Sequence, residues 1–339
     1  MSLELFVGNY NIDAEGPPAV EVLARQWLQA HRFASEACLA VSVPEEKRLD
    51  AYVLGFQEVK HFSKGEDVLN FPLTNQDAWL EACLLAVNWS ENADAEKESD
   101  PFVLLKRVVY SSAMLIVMAR RSLVEKEVAG ERKIVSVEEI AHKLHDGEMT
   151  GKKGVCGVEF KLTINGNASS HIAVMTSHFQ AYSERLDERL WDARQIVDAL
   201  EWPSKTKTTL HDLAILVGDL NYRIVLPIDE VKQRIADNDL VPLLKADELY
   251  ANTVRVVPAP GEAPVVADPV FVGWSEAKVE FKPTYKFVNG TDRWDDSGKQ
   301  RTPAWCDRVL THGNCVSRLY SSATALKISD HKPILSLTT

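Results

Sequence analysis

The chain has 339 residues, 45% hydrophobic and 26% charged, with a formal net charge of −11. This composition excludes a disordered or collagen-like chain and supplies a large core without disulfide or metal staples. The acidic balance disfavours nucleic acid as a partner, so a site for an anionic substrate must gather its cations locally.

In chain order, residues 3–7 read as a first strand that runs into Asn9-Tyr10-Asn11-Ile12-Asp13. Pro17 and Pro18 suit a helix start, and Val20, Leu23, Ala24, Trp27 and Leu28 then share one helical face. Residues 51–56 predict a second buried strand, ending at Gln57-Glu58-Val59. Trp79, Leu80, Cys83, Leu84 and Val87 predict another helix, followed by a polar loop over 88–100. Residues 102–110 and 113–119 predict strands joined at Ser111-Ser112. Residues 155–164 and 171–177 predict a hairpin about Asn165-Gly166-Asn167. A long helix is predicted over 183–200, a strand over 211–217 and a helix over 229–236. The four prolines within 258–269 predict a loop, and 334–337 a last short strand. Hairpins alternating with helices favour sheets packed between helices over a simple parallel βαβ series.

Several of these strands end in polar residues: Asn11 and Asp13, Glu58, His178, Asp219 and Asn221, Asp307, and Asp330-His331. Each alone is ordinary turn or surface chemistry. In the stretch Val217-Gly218-Asp219-Leu220-Asn221-Tyr222-Arg223, Gly218 is expected to permit a tight turn, and an extended chain would aim Asp219 and Asn221 at one target. Carboxylates and amides are hard oxygen ligands that suit magnesium. The sequence holds no local Cys/His spacing for zinc. Arg223, Lys286, Lys299, Arg301, Arg308 and Lys332 lie in or beside these motifs, which points to a phosphate substrate.

Two segments carry a family resemblance. Residues 215–223, ILVGDLNYR, and residues 303–310, PAWCDRVL, resemble the two signatures of the inositol polyphosphate 5-phosphatases, a branch of the magnesium-dependent endonuclease/exonuclease/phosphatase superfamily. FQEV at 56–59, SHF at 177–179, FKPTYKF at 281–287 and SDHKP at 329–333 follow the same family order. The resemblance implies an α/β fold: a four-layer α/β/β/α sandwich of two mixed sheets, deoxyribonuclease-like, as one domain over 1–339. It implies Mg2+ held by Glu58 with Asn11 nearby, and an attacking water oriented by Asp219 and steadied by Asn221. It further implies that His331, paired with Asp307, and His178 contact the scissile phosphate. Asp330 would support the hydrogen bonds on the metal side. Tyr285, Lys286, Lys299 and Arg301 would grip the phosphate on carbon 4 of an inositol ring, with Arg223, Arg308 and Lys332 as further substrate cations. The implied reaction removes the 5-phosphate of a phosphoinositide headgroup or a soluble inositol polyphosphate by direct attack of water.

The chain departs from the family pattern at Leu216 (usually Trp), Thr176 (usually Asn), Lys152 (usually Asn), Phe287-Val288 (usually Tyr-Asp) and an enlarged 258–269 loop. A metal-dependent nuclease of the same superfamily shares the metal residues but leaves FKPTYKF and KQRTPAWCDR unexplained. A non-catalytic binding module requires lost catalytic residues, and none is missing. The five scattered cysteines, the lack of a leader pattern, membrane span or prenylation signal, and the acidic charge together lead to a cytoplasmic expectation, with peripheral membrane contact and no nucleic acid.

Overall fold

The computed structural model of the chain describes residues 3–40, 48–59, 74–91, 100–125, 132–144, 153–164, 167–253 and 270–339. Lys152, the Asn165-Gly166 turn and the 258–269 loop lie outside the described residues. The strands are β1 (Leu5–Asn11), β2 (Ala51–Gln57), β3 (Phe102–Tyr110), β4 (Ala113–Arg120), β5 (Arg132–Lys143) and β6 (Gly154–Ile164). They continue with β7 (Asn167–His178), β8 (Leu213–Asp219), β9 (Trp274–Glu276), β10 (Asp307–Gly313), β11 (Ser317–Ser322) and β12 (Ile334–Thr338). They form two six-stranded sheets, ordered β11-β12-β1-β2-β4-β3 and β5-β6-β7-β8-β10-β9. Each is mixed: β1 runs parallel to β2 and β7 parallel to β8, while the other pairs are antiparallel.

Period-2 alternation sorts the side chains into layers. Leu5, Val7, Val53, Leu115 and Val117 of the first sheet meet Val158, Val174, Ile215, Val217 and Val309 of the second in a central core. The opposite face of the first sheet, with Phe6, Leu54 and Phe56, is covered by Leu23, Trp27, Trp79 and Cys83 from helical segments. The opposite face of the second sheet, with Ala173, Met175, Ala214 and Leu216, is covered by Ala193, Ile196 and Trp202. Helix, sheet, sheet and helix thus stack as the four layers expected. The indole of Trp27 is fully buried, and its Nε1 donates to the Ile334 carbonyl oxygen at 3.1 Å, tying the helical layer to β12. Leu216, where the resemblance expects Trp, belongs to the outer layer, on the face of β8 opposite Asp219.

Two expectations are corrected here. Gly218 lies inside β8 and makes no turn. It is required because a Cβ there would meet the Ser177 carbonyl oxygen at 2.1 Å. The turn falls later, at Asn221, whose φ is 55°. Arg132–Lys143 forms a strand that the sequence pattern did not predict. It is an edge strand with most side chains exposed or half-exposed, so no apolar alternation marks it.

Candidate active site

Register brings the polar strand ends together. In the second sheet, Asp219 pairs with His178 on one side and with Asp307 on the other. In the first, Asn11 pairs with Gln57. The inward positions of β1, β2, β7, β8 and β10 that carry Val or Leu in the core therefore carry Asn9, Asn11, Gln57, Thr176, His178, Asp219 and Asp307 at this end. Just beyond β2, Glu58 adopts φ 53°, an unusual left-handed conformation for its residue type. It is held there by backbone hydrogen bonds from Ala14 N to Glu58 O and from Val59 N to Ser112 O.

At the centre is a carboxylate cluster. Asn11 Nδ2 donates to Glu58 Oε1 at 3.1 Å and to Asp219 Oδ2 at 2.9 Å, while Asn11 Oδ1 accepts from Asp13 N at 3.2 Å. Asn11 thus positions the two carboxylates through its amide nitrogen, and its oxygen faces Asp13. His178 Nε2 is 3.5 Å from Asp219 Oδ2 and 3.9 Å from Glu58 Oε1. Asn221 N donates to Asp219 Oδ1 at 3.0 Å, and Asn221 Nδ2 donates to Phe179 O at 3.1 Å. The left-handed turn therefore makes Asn221 a brace for Asp219 through its backbone, in place of the parallel aim expected of an extended chain.

The second unit is His331–Asp307. His331 Nδ1 is 2.8 Å from Asp307 Oδ2, which also accepts from Thr284 Oγ1 at 2.8 Å, and Asp307 Oδ1 accepts from Asn9 Nδ2 at 3.0 Å. Gln57 Nε2 in turn donates to Asn9 Oδ1 at 2.8 Å and to Thr176 Oγ1 at 2.9 Å. Thr176, one of the departures, is thus a buried member of this network. His331 Nε2 lies 3.8 Å from both Asp219 Oδ2 and Asp330 Oδ1, so it faces the carboxylate cluster without a close partner. Asp330 Oδ2 is paired with Lys286 Nζ.

The electrostatics separate the two histidines. Burial opposes charge on His331, but Asp307, Asp330 and Asp219 outweigh it and raise its pKa to about 10. For His178, burial and the nearby Lys153 cation outweigh Asp219 and lower its pKa to about 3. His331 is therefore an imidazolium at neutral pH and His178 a neutral imidazole. Burial alone would raise the Asp219 carboxyl, but His178, His331, Lys153 and the Asn11 hydrogen bond hold it below the usual range. Burial pushes Asp307 up, against the pull of His331 and Thr284.

Beside the cluster opens a cleft of about 640 Å³ lined by Tyr182, Arg223, Tyr285, Lys286, Lys299 and Arg301. The Tyr285 ring lies 4.6 Å from the His331 ring, and the Arg223 guanidinium sits 4.9 Å over Tyr285 while it hydrogen-bonds Asn221 Oδ1. The Arg301 guanidinium lies 5.1 Å over Tyr182. Among the described residues, neither Lys299 nor Arg301 has a carboxylate within ion-pair distance. Two sequence-predicted cations are not brought here. Arg308 is buried on the outer side of β10, bound to Asp247 and Glu276, because alternation sends it outward where Asp307 points inward. Lys332 Nζ turns to Asp292 Oδ1 and Thr291 O, each at 3.1 Å. Phe287, another departure, stacks on Trp294 at 4.3 Å and receives the Lys332 ammonium over its ring.

Sequence reasoning missed several residues of this region. Lys153 couples electrostatically to Asp219, Glu58 and Asp192, and burial lowers its pKa to about 8. It directly follows Lys152, which the sequence marks only as a departure from the family pattern. Asn9, Gln57 and Thr284 hold Asp307 in place, and Asn9 was marked only by its inward position on β1. The donor set of Glu58, Asp219 and His178 has ligand atoms within 4.8 Å of one another, and Glu58 is partly exposed, which fits a divalent cation that keeps part of its water.

The profile of Endonuclease/Exonuclease/phosphatase family 2 matches residues 8–337. The chain belongs to that family. It is 31% identical over 344 residues to type II inositol 1,4,5-trisphosphate 5-phosphatase of Mus musculus, covering 99% of this chain and 29% of the relative. It is 25% identical over 336 residues to phosphatidylinositol 4,5-bisphosphate 5-phosphatase INP51 of Saccharomyces cerevisiae, covering 99% of this chain and 31% of that protein. The chain thus spans about a third of the length of these curated relatives. Among solved structures it is similar to the inositol polyphosphate 5-phosphatase domain of SPsynaptojanin, in complex with inositol (1,4)-bisphosphate and calcium ion. The TM-score is 0.75 at 26% identity, with 99% of this chain and 84% of that chain covered.

Proposed function

We propose that this domain is a magnesium-dependent phosphatase that removes the 5-phosphate of phosphoinositides or soluble inositol polyphosphates by direct attack of water. The observation that carries this reading is the His331–Asp307 pair, which faces Asp219 beside a cleft that presents Tyr285, Lys286, Lys299 and Arg301. The names of the similar proteins and the inositol bisphosphate in the similar structure support the substrate class.

Glu58 and Asp219 would hold Mg2+ with His178 beside them, and the bound ion would supply charge neutralisation at the phosphoryl oxygens. Asp219 is ionised and weakly basic, which suits it to accept a hydrogen bond from water and orient it better than to remove its proton early. Asn221 and Asn11 fix the two Asp219 oxygens. The His331 Nε2–H is positioned to stabilise charge on the phosphoryl group in the transition state. Asp307 keeps that proton in place through Nδ1. In the reaction, water's oxygen forms the new P–O bond while the bond from phosphorus to the inositol oxygen breaks, and that oxygen leaves with a proton as the alcohol.

Phosphate release from a panel of lipid and soluble inositol phosphates tests this reading. Release from substrates bearing a 5-phosphate and not from those lacking it is expected. Activity on phosphodiester DNA with none on the panel would replace it with a nuclease.

A further inference from the structure

A second group of metal-ligating side chains lies outside the site just described. Glu159 of β6, His171 of β7 and His211 before β8 place their ligand atoms within 4.8 Å of one another. Both His171 Nε2 and His211 Nε2 stand 3.1 Å from the same oxygen, Glu159 Oε2. The two imidazole rings are 4.3 Å apart. Glu159 is paired with Ala173 in the sheet, so it and His171 project from the outward face of the second sheet. His178 lies on the inward face at the other end of β7, roughly 20 Å along the strand.

The three groups are held as ligands are usually held. His211 Nδ1 faces two carbonyl oxygens, Lys207 O and Thr208 O, each at 3.2 Å. Nδ1 must therefore donate, and in the neutral ring the lone pair is on Nε2, directed at the carboxylate oxygen. A lone pair at 3.1 Å from a carboxylate oxygen requires something positive between them: a proton on Nε2 or a metal ion. Ser204 N donates to Glu159 Oε1 at 2.7 Å, which orients the carboxylate, and Ser204 Oγ donates to Oε2 at 2.6 Å. The His171 backbone is clamped by Asp212, whose Oδ2 accepts from His171 N at 2.7 Å and whose N donates to His171 O at 2.9 Å. The Trp202 ring closes the buried side, 5.4 Å from His211. His211 is fully buried, whereas the His171 side chain is 20% exposed, which leaves an entry on one side.

Two ligands bonded at about 2 Å and separated by a tetrahedral angle stand roughly 3.3 Å apart, close to the two N···O distances found here. Two imidazole nitrogens and one carboxylate oxygen suit zinc or a similar transition ion better than magnesium. No local sequence spacing marks the site, because its three ligands come from separate segments that only the sheet register unites.

We propose that Glu159, His171 and His211 form a binding site for a divalent transition ion, zinc foremost, that staples the segment before β8 to the outer face of the second sheet. The experiment uses the whole chain, stripped of transition metals and kept in excess magnesium to occupy the carboxylate cluster. Zinc alone and cobalt alone are then added. Wild type is expected to retain one more zinc ion per chain than His211→Ala and to develop the visible absorption of four-coordinate cobalt. His171→Asn, at a partly exposed position, should stay folded by circular dichroism and lose the cobalt bands, and Glu58→Gln should keep them. Zinc should raise the melting temperature of wild type and leave that of His171→Asn unmoved. Absence of zinc retention by folded wild type, or cobalt bands unchanged in His171→Asn, overturns the proposal and leaves only hydrogen bonds among the same three groups.

Discussion

Asp307→Asn is the sharpest perturbation of the His331–Asp307 unit. In the folded protein His331 rises from 6.5 to about 10, with Asp307 the largest of the carboxylates that outweigh burial. That shift corresponds to roughly 5 kcal/mol of preference for the imidazolium. The substitution removes the largest favourable contribution and leaves the burial penalty. It also disturbs the donors that converge on Asp307, since Asn9, Thr284 and His331 all donate to its two oxygens and an amide accepts at only one. Turning Asn9 to compensate would break its acceptance from Gln57. The expected result is a fall in turnover of roughly 10²-fold or more at pH 8, with a stability loss of about 1–3 kcal/mol from the orphaned donor. The sign follows from the direction of the shift. A raised histidine pKa contributes stability and charge in full below about pH 6.5 and loses them as pH rises through about 10. The alkaline limb of kcat/KM in wild type should therefore lie well above pH 8, and in Asp307→Asn it should move down by at least one pH unit. The assay is a kcat/KM profile from pH 6 to 10.5 with folding checked by circular dichroism. A folded variant with an unmoved alkaline limb would refute the assignment of Asp307 as the group that keeps His331 charged.

Glu58→Gln should raise the magnesium concentration needed for half-maximal activity and lower turnover, and a chelator should abolish wild-type activity reversibly; full turnover in metal-free protein contradicts this. Lys286→Ala with Arg301→Ala should cost at least roughly tenfold in kcat/KM for a 4,5-bisphosphate and much less for a 5-monophosphate. Equal losses on both would assign these cations to the fold. Arg308→Met should cost roughly 3–5 kcal/mol of stability by leaving Asp247 and Glu276 unpaired, with turnover per folded molecule unchanged. Thermal melting and active-site titration separate the two effects, and a selective loss of turnover would return Arg308 to the substrate site.

Much of this was legible because strand alternation and strand-end chemistry are written in consecutive residues. The apolar runs before Asn11, Glu58 and Asp219 gave both the strands and the end at which their polar residues gather. The structure brings together His331 and Asp307, which the resemblance pairs, and lines one cleft with Lys299 and Arg301. What was hidden depends on which way a side chain turns. Arg308 follows Asp307 in one motif, yet the pleat sends the two to opposite faces. Lys332 follows His331 and turns to Asp292. An extended chain would aim Asn221 alongside Asp219, but its left-handed turn redirects it to brace Asp219. The edge strand Arg132–Lys143 mixes apolar and polar side chains on each face, so no alternation marks it. The Glu159, His171 and His211 group assembles across two sheet registers, which no spacing within the chain records.

The most direct test of the central claim is the identity of the product formed from inositol 1,4,5-trisphosphate with magnesium in oxygen-18 water, run beside Asp219→Asn. The account predicts inositol 1,4-bisphosphate together with phosphate carrying one oxygen from solvent, and a loss of turnover of roughly 10²-fold or more in the variant. Release of the 1- or 4-phosphate, or wild-type turnover in the folded variant, would contradict it.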